Sequence, residues 1–179
     1  GGTLFLDEIT EMGSELQVKL LRVLEAKTVR RIGGSQDLRV DIRLISATNR
    51  DPQEAIRDAK LREDLYYRLN VLPVVLPTLA ERREDISMLA EHFRKQIEEQ
   101  EKSGVLGWAP AALDVLQRWD WPGNVRELRN VVHRAYVMTE GDTIQPDIVE
   151  SLLPRAGGKE PATAREKPRE KKPASKGKK

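Results

Sequence analysis

The run Gly1-Gly2-Thr3-Leu4-Phe5-Leu6-Asp7-Glu8 decides how this chain is read. Leu4-Phe5-Leu6 is apolar without alternation, the pattern of a strand buried on both faces, so Thr3 to Leu6 is expected as a short buried strand. Two adjacent carboxylates, Asp7 and Glu8, stand at its C-terminal end. Crevices of open parallel sheets lie at that end of their strands. There one carboxylate can hold Mg²⁺, directly or through water, and the next can polarise a water for attack on a phosphoryl group. Taken alone, the same run also describes a strand entering a solvated loop.

Working outward, Leu16, Leu20, Val23 and Leu24 recur at helical spacing behind Ser14, so a helix from about Glu15 to Ala26 capped by Ser14 is expected. Thr28 to Ile32 and Val40 to Ala47 flank Gly33-Gly34-Ser35 and are expected as extended arms around a turn. Ile42, Leu44, Ile45 and Ala47 make the second arm strand-like and largely buried. Asp51-Pro52 is a cap followed by a first-turn proline, opening a short helix to about Lys60. A helix follows from Arg62 to Leu69, then a buried strand from Val71 to Leu76, interrupted by Pro73 and ended by Pro77. Beyond it only helical spacing remains. One helix is marked by Ile86, Leu89, Phe93 and Ile97, another by Leu113 and Leu116, and a third by Val125, Leu128, Val132 and Ala135. A last one is expected from Pro146 to Leu153. Mixed strand and helix followed by helices alone implies an α/β unit over residues 1–77 and an all-helical unit over 78–154.

The chain of 179 residues suits one domain, or one domain plus a small satellite. It has no cysteine, which excludes disulfide frameworks, thiolate zinc sites and thiol nucleophiles. His92 and His133 are far apart, so no histidine metal site is expected and both read as ordinary surface or boundary residues. No apolar run approaches the roughly 20 residues of a membrane span, and the first residues lack the pattern of a signal peptide. The expectation is a cytoplasmic protein without a membrane partner. Charge is uneven. Arg155 to Lys179 holds 10 Lys or Arg against 3 Asp or Glu, a local +7, which leaves the other 154 residues at −5 within a chain of net charge +2. The segment 155–179 is rich in Gly, Pro, Ala, Ser and Lys and is expected to be a disordered basic tail. Trp108, Trp119 and Trp121 are expected to pack the helical unit.

Three further stretches carry chemistry. Ser46-Ala47-Thr48-Asn49-Arg50 ends the next strand with polar side chains, and Asn49 can hydrogen-bond a γ-phosphate or its attacking water. The alternative is a turn residue before Asp51-Pro52. Leu61-Arg62-Glu63-Asp64-Leu65-Tyr66-Tyr67-Arg68 places two arginines on one short helix, which surface helices also do. Trp121-Pro122-Gly123-Asn124-Val125-Arg126-Glu127-Leu128-Arg129-Asn130 puts Asn124 as a cap before a helix with Arg126 in its first turn. A cation there opposes the helix dipole, a cost that suits a residue facing an anion.

Together these residues resemble the central AAA+ domain of sigma-54-dependent transcriptional activators, the NtrC-like bacterial enhancer-binding proteins. Gly1 to Ile9 is similar to the family's Walker B signature, Leu61 to Arg68 to its arginine-finger segment, and Trp121 to Asn130 to its C-terminal signature with the sensor II arginine. The resemblance covers Gly1 to Pro154. It implies a partial AAA+ P-loop NTPase sheet followed by a helical lid. It also implies roles: Asp7 for Mg²⁺, Glu8 for water activation, Thr48 and Asn49 as sensor I, and Arg62 and Arg68 reaching a neighbouring subunit's ATP. Arg126 would sense nucleotide from the lid. The implied activity is ATP hydrolysis in a homo-oligomeric ring that remodels the sigma-54 RNA polymerase holoenzyme for promoter opening, with ATP and Mg²⁺ as cofactors.

The departures are equally definite. The phosphate loop G-x-x-x-x-G-K-[ST] does not occur, and neither Gly158-Lys159 nor Gly177-Lys178 fits it. The family's Gly-Ala-Phe-Thr-Gly-Ala loop, which touches the sigma factor, and its DNA-binding helix-turn-helix are absent too. Leu61 stands where Phe is usual, and Thr78 and Ala80 where Pro and Arg are usual. The family's sheet places the phosphate-loop strand beside Val71 to Leu76, so that strand is expected to lack a partner here, as in a C-terminal fragment or a truncated gene product. Two other functions stay open: a non-catalytic module docking onto intact AAA+ subunits, and a nucleic-acid binder acting through the basic tail.

Overall fold

A computed structural model describes residues 1–101, 104–105 and 107–154. The expected disordered tail, 155–179, lies outside the described residues. The chain divides into two compact units, Gly1–Val75 and Leu76 onward.

In the first unit the order is β1 (Gly2–Leu6), a 3-10 turn over Ile9–Glu11, α1 (Ser14–Ala26), β2 (Thr28–Arg30), β3 (Asp37–Arg39), β4 (Ile42–Ser46), α2 (Pro52–Arg57) and α3 (Glu63–Leu69). β1 pairs in parallel with β4, Gly2 opposite Ile42 and Leu6 opposite Ser46. The Asp51 side chain accepts the N–H of Glu54 at 2.9 Å, so the expected cap before Pro52 is in place. Ile9, Ala55, Leu61 and Leu65 are buried, with Leu20, Leu21 and Leu24 of α1 packed against them.

Several expectations require correction. β1 and β4 are not buried strands: Phe5 is 57% and Ile45 43% exposed. Among the described residues each has a neighbour on one edge only, and the helices gather around Ile9 and Leu65. The turn at Gly33-Gly34-Ser35 joins β2 to β3, not to Val40–Ala47, with Thr28 opposite Arg39 in an antiparallel pair. Gly33 sits at φ +76°, the left-handed region that glycine enters without cost. Val71–Leu76 forms no strand, and Val75 is 90% exposed, because no strand among the described residues accepts its backbone bonds. Gly13, not Ser14, is the residue before α1, and Ser14 makes no capping bond.

The second unit holds a 3-10 turn over Leu79–Glu81, α4 (Asp85–Glu101), β5 (Gly107–Trp108), α5 (Pro110–Arg118), α6 (Asn124–Met138), β6 (Thr143–Ile144) and α7 (Pro146–Leu152). Ile86, Ala90 and Ile97 of α4 meet Leu116 of α5, Leu128, Val132 and Ala135 of α6, and Val149 and Leu152 of α7 in one core. Their helical spacing is what the sequence displays. Trp121 is buried in this core and donates its indole N–H to the Leu116 carbonyl at 2.8 Å. Arg94 is 5% exposed, and its guanidinium reaches both Glu91 oxygens at 2.8 Å and the Val105 carbonyl at 2.6 Å. A buried charge so paired is tolerated where an unpaired one is not. Thr78 and Glu81 form a capping box that opens the 3-10 turn, with the Thr78 N–H 2.7 Å from Glu81.

Candidate functional site

β1 and β4 run parallel and in register, so their C-terminal ends finish side by side. The ladder continues one step further. Ala47 donates its N–H to the Leu6 carbonyl at 2.9 Å and accepts the N–H of Ile9 at 3.0 Å. A regular parallel ladder would join Ala47 to residues two apart, whereas Leu6 and Ile9 are three apart. The extra residue is absorbed at Glu8, which lies at φ 51°, ψ 52°. A non-glycine residue there costs about 1 kcal/mol, and strain of this kind gathers at functional sites.

The bulge fixes both carboxylates. Asp7 is exposed, and its Oδ1 accepts the N–H of Glu8 at 3.1 Å. Glu8 is half-buried, and its Oε2 accepts the backbone N–H of Asn49 at 3.4 Å. The Thr48 hydroxyl lies 3.0 Å from the buried Thr10 hydroxyl and accepts the N–H of Arg50 at 3.2 Å. Arg50 in turn reaches Glu11 at 2.9 Å. Thus Asp7, Glu8, Thr48 and Asn49 come together at one end of the strand pair. Thr10, which no motif of the sequence singles out, ties the two loops to each other.

Arg62 and Arg68 stand at the two ends of α3 in the same unit, and neither makes an ion pair with Asp7 or Glu8. The Arg62 guanidinium is held by Asp64 through Nε–Oδ1 at 3.0 Å and Nη2–Oδ2 at 2.7 Å. Those bonds raise the Arg62 pKa further and hold the Asp64 carboxyl below its ordinary value. Arg68 donates to the Leu24 carbonyl at 3.3 Å, in the last turn of α1, where helix carbonyls lack partners. The residue that fixes the start of α3 is Gln17, 2% exposed. Its Nε2 donates to the carbonyls of Met12 at 2.7 Å and Lys60 at 2.8 Å, and its Oε1 accepts the N–H of Arg62 at 2.9 Å. A polar residue set among Leu16, Leu20, Leu21 and Leu24 is its only signal in the sequence.

In the second unit Asn124 does not cap its own helix as expected. It sits at φ 51°, and its Oδ1 accepts the N–H of Leu79 at 2.8 Å. Glu127 takes over at the helix start, accepting the Gly123 N–H at 2.7 Å and the Trp119 indole N–H at 3.1 Å. Arg126 is exposed beside it and makes no ion pair among the described residues.

Among the described residues no group of three or more His, Cys, Asp or Glu could hold a metal ion by itself. Mg²⁺ is commonly held by one or two carboxylates together with substrate phosphates and waters. Asp7 fits that donor set: an exposed strand-end carboxylate with one oxygen outside the described hydrogen bonds.

Two parallel strands, the first running into paired carboxylates, followed by a helical unit, agree with the AAA+ module that the resemblance implies. Residues 1–75 match the sigma-54 interaction domain family, and residues 80–166 match the AAA+ ATPase lid domain family. The chain thus carries a C-terminal portion of a sigma-54 interaction domain followed by an AAA+ lid. It is 51% identical over 143 residues to the regulatory protein AtoC of Escherichia coli K12, covering 80% of this chain and 31% of AtoC. To the transcriptional regulatory protein ZraR of Salmonella typhimurium it is 48% identical over 144 residues, covering 80% and 33%. The crystal structure of NtrX from Brucella abortus matches with TM-score 0.78 and 44% identity, covering 86% of this chain and 35% of NtrX. NtrX has also been solved in complex with ADP and with ATP. The chain spans about a third of the length of the curated relatives it matches. Among the described residues no helix is long and apolar enough to cross a membrane.

Proposed function

We propose that these residues supply the hydrolytic end of an ATPase site in a sigma-54-dependent transcriptional activator. The site would work in a ring that remodels the sigma-54 RNA polymerase holoenzyme to open promoters. The observation that carries this reading is the Glu8 bulge, which holds one carboxylate against the Asn49 amide beside a second, exposed carboxylate. Glu8 accepts a proton from the attacking water and orients it toward the γ-phosphate. Asn49 and Thr48 place that end of the site against the phosphate. Asp7 would hold Mg²⁺, which when bound neutralises charge on the phosphates. Arg62 and Arg68 are assigned to a neighbouring subunit's nucleotide, where a cation stabilises the charge that develops on transfer. Arg126 is assigned to nucleotide held by its own subunit. The relatives' names support transcriptional regulation as the setting, and the NtrX complexes with ADP and ATP support an adenine nucleotide as the ligand.

The test is Glu8→Gln in the full-length protein that carries these residues. ATP binding should persist while turnover falls by about 100-fold or more, the scale of a positioned general base. An unchanged rate of hydrolysis would return Glu8 to the role of a strand-end carboxylate.

A further inference from the structure

We infer that Gln17 is a positioning residue for Arg62, and so acts on catalysis in the neighbouring subunit rather than in its own. The inference rests on the proposed role of Arg62.

Gln17 is an amide buried between three backbone segments. Its donors go to the carbonyls of Met12 and Lys60, and its acceptor oxygen takes the N–H of Arg62. The Arg62 N–H belongs to the residue before α3, whose backbone is extended at φ −72°, ψ 135°. Lys60 and Arg62 lie on either side of the buried Leu61. Gripping both therefore fixes the backbone from which the guanidinium departs. Asp64 then sets the direction of that guanidinium. The third bond, to Met12, ties this grip to the residue closing the 3-10 turn that follows Asp7 and Glu8. An apolar side chain of equal size at position 17 would keep the packing and leave two carbonyls and one N–H without partners. The backbone before α3 would then be free to shift. A displacement of about 1 Å at a positioning group is enough to lower a rate by roughly two orders of magnitude.

The experiment uses the full-length protein in ATP-dependent rings, with assembly followed by sizing. Gln17→Met should lower kcat by at least tenfold and leave KM for ATP within twofold, since the variant's own phosphate contacts are untouched. Adding Gln17→Met to Arg62→Ala should cost little more than Arg62→Ala alone. Gln17→Glu, whose carboxylate would face the Met12 and Lys60 carbonyls where the amide nitrogen donates, should lose at least as much of kcat as Gln17→Met. Mixing Gln17→Met with Glu8→Gln should restore ATPase activity, as mixing Arg62→Ala with Glu8→Gln should. If only the Gln17 mixture stays inactive, Gln17 does not act through Arg62. The inference is equally overturned if Gln17→Met raises KM as much as it lowers kcat, or if it cannot co-assemble while Arg62→Ala can. If the Arg62 mixture is also inactive in assembled rings, the role assigned to Arg62 fails and the inference about Gln17 falls with it.

Discussion

The side-chain oxygen of Asn124 accepts the backbone N–H of Leu79 at 2.8 Å, joining the first residue of α6 to a turn 45 positions earlier. Leu79 is fully buried, so in the native fold its N–H depends on that acceptor. Losing it strands a buried donor, at about 1–3 kcal/mol. Asn124 also sits at φ 51°, where alanine adds about 1 kcal/mol that glycine does not. Asn124→Ala should therefore destabilise the helical unit more than Asn124→Gly, and both should be less stable than the native protein. Denaturant unfolding followed by tryptophan fluorescence measures this, since Trp108, Trp119 and Trp121 all lie in that unit. Equal stability for all three proteins would show the Leu79 contact to be inert.

Acid should weaken the same unit through Glu91. Hydrogen bonds from Arg94, reinforced by the charges of Arg94 and Lys95, hold the Glu91 carboxyl below its ordinary value despite partial burial. A depressed carboxylate pKa stabilises the fold above the unfolded value, about 4.3 for glutamate, and that contribution is lost as pH falls through the folded value. Arg94 stays charged throughout, its pKa raised by the same contact. Glu91→Gln should lower the unfolding midpoint at neutral pH and flatten its decline between about pH 5 and pH 3. A variant with the native pH profile would place the acid-sensitive group elsewhere.

The arginines are separable by mixing subunits. In a ring containing Arg62→Ala and Glu8→Gln proteins, some interfaces pair an intact Arg62 with an intact Glu8, so part of the ATPase activity should return. Arg126→Ala mixed with Glu8→Gln should regain nothing, because both defects fall within one subunit's site. Recovery in the Arg126 mixture would move that residue across the interface.

Nucleotide binding by a polypeptide of residues 1–179 should be weak. A phosphate cradle is built from backbone N–H groups and a lysine in the G-x-x-x-x-G-K-[ST] loop, and these residues contain no such loop. Titration with a fluorescent ATP analogue should show no saturation at low micromolar concentration. Tight binding that requires Mg²⁺ would mean that Asp7 and the strand-end loops suffice on their own.

Local patterns are legible in the sequence and long-range pairings are not. The helical faces of α4 and α6 stand in the spacing of Ile86, Leu128 and Val132, and the Asp51 cap stands in a single dipeptide. Asp7 and Glu8 can be placed at a strand end because the run before them is purely apolar. By contrast, the burial expected for β1, β4 and Val71–Leu76 depends on neighbours that no local pattern supplies, and the structure leaves them exposed. Asn124 reads as the cap of its own helix because capping rules are local, whereas its partner lies at Leu79. Gln17 shows in the sequence only as a polar residue among leucines, and what it binds does not show, because its three partners are backbone groups.

The run Val71-Leu72-Pro73-Val74-Val75-Leu76 leaves five large apolar side chains bare to solvent. All of it but Leu76 belongs to the unit whose parallel sheet has, among the described residues, two strands, each with a free edge. Free edges and bare valines are what neighbouring molecules pair with when chains aggregate. Pro73 interrupts the run and tempers it, as gatekeeper residues do. A polypeptide of residues 1–179 is therefore a sample whose solubility, more than its chemistry, sets the limit on concentration. A solubilising fusion joined ahead of Gly1, or one charged replacement among Val71, Val74 and Val75, is the practical remedy.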